Sequence, residues 1–386
     1  MTHTHPRGAM AAAIAGMLLV TLTLILVLQA HDQWLLLGVL LGASALGALA
    51  QRLGWTAMAT TALASHPRLL RTLVGASFAS LLVVFHDDHF VLLQLATLTL
   101  YVIVCLGLNL QIGFCGVMNF AGAAFFGTGA YTAAVLANHT AVPHLLLPVA
   151  GGLAAAVLGS LLLLPVLRTR GHYAALVTIA FGTLFRSFLE VNDTLGGPQG
   201  MRVPPMTLFG LDLSQGLEHG DLAISFYANY ALLFFVLAVG VFILTRRLER
   251  SWIGLNLDAV RIDETAAATF GIDIVRWKIT AFVLGNFLIG LSGACFALMT
   301  GFVAPTNFTF ADSLVLLSII VLGGIGNLWA ILPAAAIVFL LPEKLQAIQE
   351  YRFLLYALAV MLILLFRADG LFPRGLRRPL LSGAPR

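Results

Sequence analysis

Along this 386-residue chain, apolar residues come in long runs separated by short polar stretches. Several runs reach about 20 residues, the length an α-helix needs to cross a bilayer. They lie roughly at 10–29, 34–50, 70–85, 90–110, 117–137, 143–167, 171–190, 222–245, 277–300, 312–326, 328–342 and 353–366. The pattern predicts an all-α, polytopic membrane helix bundle of about 10–12 spans. The first run is too long for a secretory h-region and has no small-residue cleavage site, so it reads as an uncleaved signal anchor. Small residues recur every four positions at Gly129, Ala133 and Ala137, and at Gly293, Ala297 and Gly301. That spacing lets helix backbones approach closely in lipid and predicts helix–helix seams.

The polar interruptions are more informative than the runs. Ser251 to Lys278 reads SWIGLNLDAVRIDETAAATFGIDIVRWK between two apolar segments. Here Asn256 is placed to cap a helix running to Phe270, and Gly271 to end it in the left-handed conformation. Leu257, Val260, Glu264, Ala267 and Ala268 then share one face, and Ala259, Ile262, Ala266 and Phe270 much of the opposite one. Helices that lie at lipid headgroups carry a basic face and large apolar residues. In this stretch acids match bases and much of the apolar surface is alanine, so we expect a helix held between the membrane body and a partner protein.

Two glycine-rich breaks interrupt the apolar pattern. Gly323-Gly324-Ile325-Gly326-Asn327 divides a region into pieces barely long enough to span. A tight turn between short spans is the simpler reading; half-helix ends that bind ions or carboxylates are the functional one. Gly196-Gly197-Pro198-Gln199-Gly200 lies in a long loop, as a docking or gating turn or a plain connection. Polar groups inside spans are costly. Asn109, Gln111 and Asn119 flank Gly113 to Gly116, either lining a pathway or bonding between helices. Arg186 and Glu190 are spaced to neutralise one another on a single helix. His86-Asp87-Asp88-His89 has no further ligand spacing to support a metal and reads as a solvated turn.

Composition agrees: 60% of residues are hydrophobic and only 10% charged. The pI near 9.2 comes from bases spread over short loops and does not indicate nucleic acid. Cys105, Cys115 and Cys295 all fall in apolar segments, against a disulfide framework or a thiolate metal site. If the N-terminus is cytoplasmic, the positive-inside rule is satisfied. Inside then lie Arg7, Arg52, Arg68, Arg71, Arg168 and Arg170, the bases of 246–278, and those from Arg367 onward, against Arg202, Lys344 and Arg352 outside. This places the Ser251–Lys278 loop and both termini in the cytoplasm.

A phosphate-cradling P-loop needs Lys directly after Gly. The two lysines, Lys278 and Lys344, follow Trp277 and Glu343. Any ATP-driven transport would therefore draw on a separate polypeptide, bound at the cytoplasmic helix.

The motifs also resemble a known family. LGLNLQIGFCGVMNFAGAAFFGTGAY (106–131), TRGHYAALVTIAFGTLFRSFL (169–189), GGPQGM (196–201), RIDETAAATFGI (261–272), GFVAPTNFTFADS (301–313), IVLGGIGNLWAILPAA (320–335) and EYRFLLYALAVMLILLFRADGLFPR (350–374) occur in one order. In that order they resemble the M-type permease subunit of bacterial branched-chain amino acid ABC importers. The resemblance implies the transmembrane domain of an ABC importer, with a core at 90–374, extra spans at 1–89 and a tail at 375–386. It implies a bacterial inner-membrane subunit, not an enzyme, with no cofactor of its own. ATP would be bound by two ATP-binding cassette subunits, beside a second related permease and below a periplasmic amino-acid-binding protein. Carried over, Gly254, Arg261, Asp263, Glu264 and Gly271 become the ATPase-coupling positions within 246–278. Leu255 departs from the family, which commonly has Arg after this Gly. Asn109, Gln111, Asn119, Gly323, Gly324 and Gly326 are the candidates for the translocation pathway. Two alternatives remain: a related branch that moves urea or short amides, and a secondary transporter driven by an ion gradient, which should show inverted repeats and mid-membrane carboxylates.

Overall fold

Ile274–Thr300, one of the two most deeply enclosed of the long helices, shows how this chain folds. A computed structural model describes residues 6–30, 33–52, 55, 67–168, 173–208, 211–214, 217–219 and 222–344, with scattered positions from 351 to 365. The helices in chain order are α1 (Pro6–Gln29), α2 (Gln33–Arg52), α3 (Pro67–Val84), α4 (His89–Asn109), α5 (Gly122–His139), α6 (Leu147–Arg168) and α7 (Tyr173–Val191). They continue with α8 (Tyr227–Arg250), α9 (Trp252–Ile262), α10 (Glu264–Thr269), α11 (Ile274–Thr300), α12 (Phe310–Gly323) and α13 (Leu328–Lys344). A π-helical turn, Leu110–Phe114, closes α4.

Seven described helices are long and apolar enough to cross a membrane, fewer than the runs suggest. The difference has physical causes. α5 is rich in Gly and Ala and carries Thr128, Thr132, Asn138 and His139, so it is less apolar than the others. α13 has only 17 residues, α2 and α3 contain shorter apolar stretches, and most of 353–366 lies outside the described residues.

The chain divides into two compact units. One comprises 1–93, 217–228 and 341–349. In it α1 packs on α2 and α3, and Thr21 Oγ1 donates to Ser77 Oγ (2.8 Å). The His86–His89 turn proves to be a helix cap: Asp88 Oδ1 accepts from the amides of Phe90 and Val91. No group of three metal-ligating side chains occurs among the described residues.

The other unit, 94–216, 229–340 and 350–386, is built on α11. α6 and α5 cover it closely. A Cβ at Gly129 would stand 1.9 Å from the Gly290 carbonyl, and one at Gly293 the same distance from that of Phe126. The small-residue seam therefore exists, although Gly301 serves as the left-handed C-cap of α11 (φ 67°) and does not pack in it. Short antiparallel strands β1 (Met201–Arg202) and β2 (Phe302–Val303) tie the loop after α7 to the end of α11. Gly200 lies so close to Val303 that a Cβ would meet its carbonyl at 2.2 Å, so the GGPQG segment is a packed turn.

Candidate functional site

The stretch after α8 folds into an elbow of two helices, and each bend has a local cause. Ser251 is extended and its Oγ accepts from the Ile253 amide (3.2 Å), which starts α9. Gly254 lets α9 fold back on α8, since a Cβ there would meet the Glu249 carbonyl at 2.4 Å. Asp263 then leaves the helical region (φ −156°, ψ 109°) and its Oδ1 accepts from the amides of Thr265 (2.8 Å) and Ala266 (3.0 Å). It ends α9 and caps α10. Gly271, at φ 78°, supplies the left-handed exit.

The single helix expected from Asn256 to Phe270 is thus corrected to two. Asn256 lies inside α9, its Nδ2 donating to the Trp252 carbonyl. The misreading came from Asp263, whose short carboxylate competes for the backbone amides ahead of it. The break also divides the expected face. Leu257, Val260 and Ala267 are buried, whereas Glu264 and Ala268 are exposed. Of the opposite face, Ile262 (71% exposed) and Phe270 (85%) project outward, with Trp252 and Leu255 also exposed.

Two polar side chains fasten the elbow inward and go to different helices, while the Trp252 ring meets Trp277 of α11 edge-on at 5.3 Å. The Arg261 guanidinium donates through Nη1 to the Gly113 carbonyl, on the π turn that ends α4. Its stem lies along Gly116, whose φ is 74°; a Cβ there would be 3.5 Å from Arg261 Cγ. Glu264 Oε1 pairs with Lys278 Nζ (2.7 Å) in the first turns of α11.

Above the Arg261 contact lies a buried amide cluster. Gln111 Nε2 donates to Asn286 Oδ1 (2.9 Å) and to the Phe282 carbonyl (3.2 Å). Asn119 Nδ2 donates to Gln111 Oε1 (2.7 Å), and Asn119 Oδ1 accepts from the Ala121 amide (2.9 Å). The cluster joins the π turn, the chain entering α5, and α11. Asn286, which sequence reasoning missed, is its third amide; the only signal for it was one polar side chain midway along an apolar run. Asn109 stands apart from these three. Its Oδ1 accepts from the Gly326 amide (2.9 Å), holding the turn between α12 and α13. Gly113 allows that approach, since a Cβ there would stand 2.7 Å from Gly326 N. The Nδ2 atoms of Asn109 and Asn286 are buried with no hydrogen-bond partner.

The glycine-rich break is this α12–α13 turn. Gly324 (φ 116°) and Gly326 (φ 88°) adopt positive φ, and Asn327 Oδ1 accepts from the Trp329 amide (3.1 Å) to start α13. Gly323 packs on the Ala330 carbonyl. Cys115, just past the π turn, is buried, and burial pushes its thiol up to about 12, with Lys278 opposing and Glu264 reinforcing the shift. All three cysteines are free and buried. Arg186 Nε and Glu190 Oε1 form the expected pair at 2.8 Å.

Comparison with known proteins places this architecture. Residues 90–368 match the family described as branched-chain amino acid transport system, permease component. The chain is 36% identical over 297 residues to the high-affinity branched-chain amino acid transport system permease protein LivM of Escherichia coli (strain K12), covering 72% of this chain and 69% of that protein. It is 35% identical, over the same shares, to the protein of the same name from Salmonella typhimurium. It is 22% identical over 326 residues to a probable branched-chain amino acid transport permease protein LivM of Methanocaldococcus jannaschii, covering 71% of this chain and 90% of that protein. No solved structure matches the chain.

Proposed function

The chain belongs to the family of branched-chain amino acid transport system permease components, a multi-pass membrane subunit of a transporter and not an enzyme, and from that premise we propose how it works. The elbow 252–270 is the surface on which a cytoplasmic ATP-binding cassette subunit acts. Two such subunits, a second related permease and a periplasmic amino-acid-binding protein complete the importer. Residues 90–374 form the conducting core, with 1–89 as additional spans. Both termini and the 246–278 loop face the cytoplasm of a bacterial cell, as the distribution of arginines favours. The chain carries no cofactor; ATP is bound and hydrolysed on the partner subunits.

One observation carries this reading: an elbow outside the long helices presents Trp252, Leu255, Ile262 and Phe270 outward while Arg261 and Glu264 fasten it inward. Large apolar side chains gathered on a surface mark a place where another protein binds. In this role Gly254, Asp263 and Gly271 shape the elbow, and Arg261 and Glu264 transmit its displacement. Asn109, Gln111, Asn119, Gly323, Gly324 and Gly326 frame the part of the core that rearranges as the pathway opens, in an alternating-access cycle driven by ATP. Selection of the amino acid rests largely with the binding protein, so a weak site in the permease suffices.

The test is purification from membranes followed by reconstitution. The subunit should bring down an ATP-binding cassette protein, and Ile262→Asp with Phe270→Asp should release it while leaving the permease in the membrane. Accumulation of amino acid by the lone chain under a proton or sodium gradient would overturn the proposal.

A further inference from the structure

The two inward contacts of the elbow end on helices that the amide cluster also joins. Arg261 reaches the π turn of α4 and Glu264 reaches the base of α11. Gln111, on that same π turn, bonds Asn286, on that same α11. Asp263 lies between the two fastening residues and is held by its own capping bonds, so α9 and α10 meet at a defined angle. A π turn at a helix end leaves carbonyls without helical partners. Gly113 offers one, and a guanidinium with five donors can hold it where a shorter side chain cannot reach. All five residues of the turn are buried, and on its far side Asn109 holds Gly326 of the α12–α13 turn. The turn is therefore a place where the elbow, α11 and the glycine-rich break are connected by side-chain bonds.

We infer that Arg261 is a positioning residue for transport: its bond to the Gly113 carbonyl sets the register of the π turn Leu110–Phe114, and through Gln111 decides whether the Gln111–Asn119–Asn286 cluster is closed. The inference rests on the reading that a partner moves the elbow. Displacing the elbow shifts Arg261 and Glu264 together, but their far ends belong to α4 and α11, so the Gln111–Asn286 bridge takes up the difference. Amides exchange partners at little cost when each broken bond is replaced, and the partnerless Nδ2 atoms of Asn286 and Asn109 provide donors for a second arrangement. Gly159 backs Asn286 closely enough that a Cβ would stand 2.1 Å from its Nδ2, so a side chain there would jam the exchange.

Cys115, adjoining the turn, reports on it without reference to transport. The experiment uses the whole importer in proteoliposomes with Cys105 and Cys295 replaced by Ala, and measures maleimide labelling of Cys115 and amino acid moved per ATP hydrolysed. In Arg261→Ala, labelling should quicken and transport per ATP fall by about tenfold each, the size of a typical coupling between sites. Arg261→Lys, which can still donate to the carbonyl, should recover most of both. Adding Gln111→Leu to Arg261→Ala should cost little beyond either alone, because both act on one turn. Unchanged Cys115 labelling in Arg261→Ala, or losses that multiply with Gln111→Leu, would overturn the inference. If Arg261→Ala does not accumulate, Arg261→Gln, which stays polar but is too short to reach the carbonyl, is read against the same outcomes. Wild-type uptake that ignores ATP would instead overturn the underlying reading, and Cys115 protection would still decide the role of Arg261.

Discussion

Helices α11 and α7 are both long and apolar enough to cross a membrane, yet 78% of the spanning window of α11 is buried and only 11% of that of α7. Hydropathy alone does not separate them, because lipid and protein interior are equally apolar. What separates them is the size and polarity of particular side chains. α11 carries Gly285, Gly290, Ser292, Gly293 and Ala297 on packed faces, and Asn286 within them. α7 presents Leu176, Leu184 and Phe188 outward. Between these two helices, small and amide side chains mark the enclosed faces of α11, and large aliphatic and aromatic ones mark the outward face of α7.

Equivalent glycines give the sharpest contrast and the largest expected effect. Gly129→Leu drives a side chain into the Gly290 carbonyl across the α5–α11 seam. It should abolish accumulation of folded protein, a loss exceeding about 4 kcal/mol. Gly182→Leu on α7 meets nothing nearer than Ala121 Cα at 4.0 Å, and should accumulate like wild type. Equal damage from the two, measured as monodisperse protein in detergent, would erase the distinction between the helices.

Next in size is the amide cluster. Gln111→Leu removes the bonds to Asn119 Nδ2 and Asn286 Oδ1 in one step and leaves those two atoms only their 3.3 Å bond to each other. Each hydrogen bond lost costs about 0.5–1.5 kcal/mol, so thermal unfolding in detergent should shift downward. At the base of α11 the effect should be smaller on stability and larger on function. Glu264→Arg breaks the bond to Lys278 and should lower uptake while the protein stays inserted. Combining it with Lys278→Glu restores the pair in reverse. Recovery of uptake in the double variant assigns Glu264 to holding the elbow; continued loss assigns it to direct contact with the ATPase.

The sequence made some of this legible because the signal was local. Small residues four apart marked α5 and α11 as seam helices without pairing them, the Arg186–Glu190 spacing named its ion pair, and Gly271 named a left-handed exit. Asn109, Gln111 and Asn119 stood out because an amide in an apolar run needs a reason. Their partners did not stand out: Asn286 and Gly326 are brought to them by helix packing over long sequence separations, and no local pattern records that register. The same is true of Arg261 on Gly113 and Glu264 on Lys278. The break at Asp263 was readable in principle, since an aspartate followed by Glu-Thr-Ala is a capping sequence, but the continuous apolar periodicity around it masked the cap. The π turn left no sequence signal beyond the glycines beside it.

The smallest expected effect tests the boundary itself. Leu184, on α7, is 68% exposed. In a packed core, Leu→Ala loses both the transfer energy of the methyl groups and the cost of the cavity, about 2–5 kcal/mol together. At a lipid boundary neither term applies, because acyl chains fill the vacated space and the side chain was never removed from an apolar medium. Leu184→Ala should therefore change stability by less than about 0.5 kcal/mol, while Phe282→Ala, fully buried on α11, should cost about 3–5 kcal/mol. Thermal unfolding of the two variants in lipid nanodiscs gives the comparison directly. If Leu184→Ala leaves the isolated subunit as stable as wild type but weakens recovery of the second permease, the exposed face of α7 is covered by protein in the assembled transporter, and the distinction between the helices holds only for the single chain.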